Sequence, residues 1–446
     1  MRRELLITMM LLAAAAAGLA GEPDRLRTSV PYDTEYPVID YSGPATHNRV
    51  WRMQQQLLSG ELKFSWDPQF GYLKSLLRAL DINPDSQVLV YSRTSLQIEY
   101  INGHTPRAVY FNDDTYVGYV QGSPLIEVAS IDGSKGAVFY AFENHQEGPP
   151  THMEREGNRC LSCHDTFSQM GGGVPRLMVL SAPVQDPSDP RTGVTADETN
   201  DHTPLAQRWG GWYVTGKTGT QAHLGNLPLR EERAGETLQK RRAERTNLAN
   251  VRSYIDRSHW LTDQSDVVAL LVLEHQTQLQ NMMTRVNYKV RTVMSRGDAA
   301  QPAATPRHWQ DITAADQDRL QKMIEPLVKL LFFQGAATYQ DRIEGGSGFA
   351  RRVSQLGPKD SRGRSLRELD LNTRLLRYPL SYEIYSDQFD NLPEYALDYL
   401  YARIVEILQG RDTTGISAGI SAADRQAITE ILIDTKPALA ALLGKP

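Results

Sequence analysis

Two different hydrophobic periods run along this chain. Between residues 87 and 142 the apolar positions fall in short, β-rich runs: Val88 and Val90, Ile98 and Tyr100, Val109 and Phe111, Val117 and Tyr119, then Ile126 and Val138. Asn112-Asp113-Asp114 and Asp132-Gly133 place turn chemistry between them. The pattern predicts an antiparallel sheet of about four to six strands, whose many tyrosines are half-buried sheet residues. Residues 47–58 and 70–80 repeat at helical spacing, with Asp67-Pro68 as a start signal for the second helix.

The strongest helical period lies at 263–296. Val267, Val268, Leu271, Val272, Leu279, Met282, Val286, Val290 and Val293 share one face at about 100° per residue, and His275 sits in its middle. Asp263 or Ser265 would cap this helix, and Asp266 suits its first turn. Residues 314–333, 394–408 and 422–433 predict three more helices, and 176–184 and 211–214 predict further strands. The fold class is α+β, with a β-rich N-terminal region, a cysteine-bearing segment and a mainly helical C-terminal half.

At 446 residues the chain exceeds what one packing core needs. Arg2 and Arg3, an apolar run over 5–19 and the small residues Gly18 and Ala20 predict a cleaved signal peptide at 1–20, and so an exported, periplasmic protein. The apolar run is short for a bilayer span, and no later stretch is apolar enough for one. The expected organisation is an extended arm at 21–46, an α+β region with the sheet at 47–145, a cysteine-bearing region at 146–228 and a helical region at 229–446. A net charge of −5 argues against nucleic acid as a partner. The Arg- and Glu-dense stretch 229–245 reads as a solvated helix face or as a docking surface for a redox partner protein.

The only cysteines are Cys160 and Cys163, so no disulfide framework is available. They stand in Cys160-Leu161-Ser162-Cys163-His164, a C-x-x-C-H sequence. Two thiols one helical turn apart can each add to a haem vinyl group, and the histidine that follows can then ligate the iron. A thioredoxin-like pair would follow a buried strand, but residues 153–159 are polar. A zinc site needs four ligands, and there is no second cysteine pair. An H-E-x-x-H sequence is absent.

The segment resembles the haem-attachment site of c-type cytochromes, a likeness confined to a short part of the chain. It implies one covalently attached haem c, with Cys160 and Cys163 as thioether positions and His164 as the proximal ligand. In many small cytochromes c a proline about a dozen residues on accepts a hydrogen bond from that histidine. Pro175 stands eleven residues after His164 and matches this pattern. The family also implies a distal ligand several tens of residues downstream, where His223 lies in a glycine-rich loop. His275, Met170, Met178 or an open position are the alternatives. His145 and His152 are close in sequence before the motif, and Arg159 and Arg176 are candidate propionate partners. The expected function is electron transfer. Two other readings remain: a haem-dependent oxidoreductase with His275 and Glu274 or Gln276 as acid-base groups, and a sensor or relay subunit that docks through 229–245.

Overall fold

A computed structural model describes residue 34 and residues 36–145, 153–165, 173–182, 196–226, 245–295 and 307–444. The expected signal peptide, the first part of the arm, His152, Met170 and nearly all of 229–245 lie outside them.

Helix α1 (Arg49–Ser59) opens where the Asn48 side chain accepts the Trp51 N–H at 2.9 Å, and closes at Gly60 in the left-handed region, φ 77°. The second helix, α2 (Leu73–Ala79), begins later than its pattern suggests. Asp67 Oδ1 accepts the amides of Gln69 and Phe70, and Asp67 bridges to Gly71. The start signal therefore builds a tight turn, and the helix begins beyond it.

The main sheet contains β1 (Val88–Val90), β2 (Arg107–Phe111), β3 (Thr115–Tyr119), β4 (Leu125–Asp132), β5 (Gly136–Glu143) and β6 (Glu154–Glu156). The short helix α3 (Asn158–His164) follows directly. A two-stranded ribbon pairs β7 (Leu180–Ser181) with β8 (Asp197–Glu198), and β9 (Trp212–Tyr213) returns to the main sheet. The strand order is β6-β5-β4-β3-β2-β1-β9, antiparallel throughout. It has seven strands, because β6 and β9 extend the β-rich region at its two edges.

Two expected strands differ. Ile98 and Tyr100 lie in turns between β1 and β2, where Asn102 Oδ1 takes the His104 and Thr105 amides and offers the backbone an alternative to a ladder. Of the described residues 176–182 only β7 is a strand, since Asn281 engages both backbone groups of Leu177.

Helix α4 (Val267–Ser295) is the long helix foreseen at 263–296. Its cap is Asp266, whose Oδ1 accepts Val268 N at 2.8 Å and Ala269 N at 3.1 Å. Asp263 instead pairs with Arg252, and Ser265 is spent on Tyr213 O and Leu89 N. The helix is buried on nearly every side from Val267 to Gln280, not on one face alone. It lies between the sheet and the helices α5 (Ala314–Leu331) and α6 (Phe349–Gln355). Helices α7 (Glu394–Leu408), α8 (Ala422–Thr435) and α9 (Pro437–Leu443) complete that side.

The period-2 alternation of the strands sorts the sheet residues between two cores. Val109, Phe111, Tyr116, Ala129 and Phe139 face α4 and the C-terminal helices. Ala108, Tyr110, Val117, Val128 and Tyr140 face α1, α2 and the arm residues Ile39 and Tyr41. The first core runs without a break through residues of 47–145, 146–228 and 229–446.

Candidate haem-attachment site

Helix α3 carries the C-x-x-C-H sequence as one compact turn. Leu161 N returns to Gly157 O at 3.0 Å, and Asp165 N to Leu161 O at 2.8 Å. Cys160 and Leu161 rest against the core, while Cys163 is exposed. The two thiols are not bonded to each other. Burial pushes the Cys160 thiol up to about 12, with Glu156 and Glu127 adding in the same direction. A dithiol redox catalyst needs the opposite shift, because the thiolate is its nucleophile. The thioredoxin-like reading therefore gains no support from this environment.

The His164 ring lies over Phe139 of β5, with centroids 4.5 Å apart and planes tilted by 39°. Its Nδ1 is 2.7 Å from Arg176 O, and Arg176 N returns to His164 O at 3.1 Å. A carbonyl oxygen can only accept, so Nδ1 carries the proton and Nε2 keeps its lone pair. Burial lowers the imidazole below its ordinary range, although the Arg176 carbonyl favours the charged form. The ring is therefore neutral at pH 7, with the tautomer that an iron ligand requires.

The acceptor expected at Pro175 is one residue further on. The bonding is reciprocal, and a proline has no N–H to return to His164 O. Arg176 supplies both groups. Asn281 of α4 fixes the next residue, donating to Leu177 O at 2.6 Å and accepting Leu177 N at 2.8 Å. The long helix thus holds the carbonyl that orients His164.

Charged groups surround the ring. Arg107 and Glu127 pair at 2.8 Å on the α4 side of the sheet, and both act on His164 together with Arg176. Arg176 is 1% exposed and 3.6 Å from Glu198, whereas Arg159 lies 3.6 Å from Glu156 at the surface. Thr34 of the arm donates to Asp165 Oδ2 at 3.0 Å. The arm also gives the Tyr41 and Gly43 carbonyls to Lys135 and Arg155, so it is packed against the sheet beside the motif.

The downstream histidines are engaged differently. His275 is fully buried, with Nδ1 2.7 Å from Asp201 Oδ2 and Nε2 2.8 Å from Ser381 Oγ. The carboxylate accepts a hydrogen bond from Nδ1–H, so Nε2 accepts from Ser381, and neither nitrogen remains for iron. Its neighbours are equally committed. Glu274 pairs with Arg208 at 2.7 Å and accepts Trp209 Nε1 at 3.0 Å, and Gln276 donates to Asn112 O and Tyr116 Oη. His223 is 2% exposed, and its Nδ1 accepts Gly225 N at 3.1 Å. That places the ring proton on Nε2, the wrong tautomer for a ligand, so iron binding would need the Gly225 bond to open. Met178 is half-buried, and His145 is a surface residue 3.0 Å from Glu143.

Three features escaped the sequence reading: the Arg176 carbonyl, Asn281 and the Arg107–Glu127 pair. Glu127 within an apolar strand was one available signal, and Asn281 near the apolar face of a long helix was another. Among the described residues no group of three or more His, Cys, Asp or Glu is gathered as for a metal ion, and no helix is long and apolar enough to cross a membrane. No family model, curated protein or solved structure matches this chain.

Proposed function

We propose that the protein is an exported mono-haem c-type protein that carries electrons, with the haem bonded to Cys160 and Cys163 and its iron ligated by His164. The observation that carries this reading is the His164 ring. It is neutral, its Nδ1 proton is given to a backbone carbonyl, and its Nε2 is left as the coordinating atom. The residues fit the group in a second respect. Both thiols sit one turn apart on α3, unpaired with each other, and the exposed one leaves room at the surface. When bound, the haem supplies a one-electron couple on iron. The chain's own part is to orient the proximal imidazole through Arg176 and Asn281, and to bury the ring against Phe139.

The engagement of His223 and His275 favours a second reading, in which the iron keeps a displaceable sixth position and the protein is a haem oxidoreductase. That reading needs acid-base groups other than His275, Glu274 and Gln276, which are bound up in the core. The reduced optical spectrum with and without carbon monoxide separates the two. A low-spin spectrum that the gas leaves unmoved supports the carrier, and a shifted one supports the oxidoreductase. Attachment has its own test. Acid-acetone should leave the colour on the wild type and remove it from Cys160→Ala/Cys163→Ala. A wild type that loses its colour refutes covalent attachment.

A further inference from the structure

Residues 92–106, between β1 and β2, carry an apolar surface that neither core uses. Leu96, Ile98 and Tyr100 are 48%, 39% and 39% exposed, and they supply three of the seven most open large apolar side chains among the described residues. Scattered exposed apolar residues are ordinary, but three within five positions of one segment stand out from that background.

The segment is held in place. Ser95 Oγ donates to Glu127 Oε2 at 3.2 Å, and Gln97 Nε2 reaches Gly118 O at 3.5 Å. Thr105 Oγ1 donates to Tyr100 O at 2.7 Å, and Arg93 Nε to Ile98 O at 3.1 Å. Its anchors are the groups beside the motif, since Glu127 pairs with Arg107 and both act on His164. Gly118 makes that pairing possible, because a Cβ there would stand 2.2 Å from the Arg107 guanidinium. Ser92 Oγ and Gln97 Oε1 of the segment, and Arg107 Nε directly after it, are buried without a hydrogen-bond partner among the described residues. Leaving a buried donor such as Arg107 Nε unmatched is costly unless something supplies an acceptor.

We propose that residues 92–106 are the cover of the haem, with Leu96, Ile98 and Tyr100 packing on the macrocycle and Arg107 taking a propionate. The inference rests on the haem reading above. A haem has broad apolar faces and one anionic edge. This segment offers exposed apolar side chains, and Arg107 at its end pairs with Glu127 through Nη2 while its Nε is unmatched. The cover excludes water from the ring, and so disfavours the more highly charged ferric state.

The test uses the haem-loaded protein and Leu96→Ser/Ile98→Ser, two exposed positions that the fold does not need. Covalent haem is first counted in both by the pyridine haemochrome spectrum. The expected result is one haem in each, with the midpoint potential of the variant shifted negative. Hydrogen exchange gives an independent readout. Amides of 94–105 should exchange about tenfold more slowly in the loaded wild type than in Cys160→Ala/Cys163→Ala, with peptides of α4 as the folding control. Equal haem content with unchanged potential and unchanged exchange overturns the cover. A wild type without covalent haem overturns the haem reading instead, and the cover loses its occupant with it.

Discussion

Replacing His275 by alanine separates a core histidine from an iron ligand. In the structure the ring spends Nδ1 on the Asp201 carboxylate and Nε2 on Ser381, and stacks on Phe333 with centroids 4.6 Å apart and planes at 10°. A hydrogen bond to a charged group contributes about 1.5–3 kcal/mol, a neutral one about 1, and a stacked aromatic pair about 0.5–1.5. Their combined loss is about 4 kcal/mol, and Asp201 is left as a carboxylate without its main partner. Burial alone would raise the Asp201 carboxyl, but His275 outweighs it and holds the group below its ordinary value. The stability this gives is present above the unfolded carboxylate range and is lost as pH falls.

The expected outcome for His275→Ala is a loss of about 4 kcal/mol at pH 7. It is read from urea melts followed by fluorescence and circular dichroism together, since coincident transitions license a free energy. His275→Asn keeps one N–H for Asp201 and should recover part of the loss. The optical spectrum of the haem-loaded variant should be unchanged. A stability loss below about 1 kcal/mol, or a change from low to high spin, would refute the reasoning and return His275 to the iron.

Asn281→Leu should cost about 2–3 kcal/mol, because both Leu177 backbone groups lose their partner. It should also raise the midpoint potential, because a loosened Arg176 carbonyl makes His164 a less basic ligand; an unchanged potential would confine Asn281 to a structural role. Burial first, then Asp113, pushes the Glu383 carboxyl up to about 8, with Arg367 pulling the other way. The folded state therefore holds the extra proton, and its stability falls as pH rises from about 4.5 to about 8, by up to about 1.4 kcal/mol per pH unit. Glu383→Gln should flatten that slope in melts taken across pH 5 to 8, and an equally steep slope in the variant would count against it.

The elements with long, strong periods were legible in the chain itself. Val267 to Val293 and residues 394–408 announce their helices, and the alternation from Val88 to Val138 announces a sheet. Less legible were the places where a side chain claims backbone groups. Asp67 delays α2, Asn102 turns the chain where Ile98 and Tyr100 suggest a strand, and Asn281 takes the bonds of Leu177. Propensity treats these residues as local signals, but the last acts across more than a hundred positions. The burial of α4 on all sides was also hidden, because its pattern announces one apolar face and Glu274, His275, Gln276 and Gln280 are polar. Each is paired inside the core, with Arg208, Asp201, Asn112 and Tyr116.

The C-x-x-C-H sequence was legible as spacing, whereas the bonding of the histidines was not. Position alone put His223 at a family-like distance and His275 on an apolar face. What separates the three histidines is where each ring proton goes. His164 gives its Nδ1 proton to Arg176 O and keeps Nε2, His275 uses both nitrogens, and His223 accepts at Nδ1. A small domain can hold a motif, but here the carbonyl that orients His164 is fixed by Asn281 on α4. That helix is in turn held by α5 and α6 on one side and by the sheet on the other. The helical half thus supports the orientation of the His164 imidazole. On the haem reading, a perturbation deep in that half should therefore reach the iron through Leu177 and Arg176, with no contact to the haem itself.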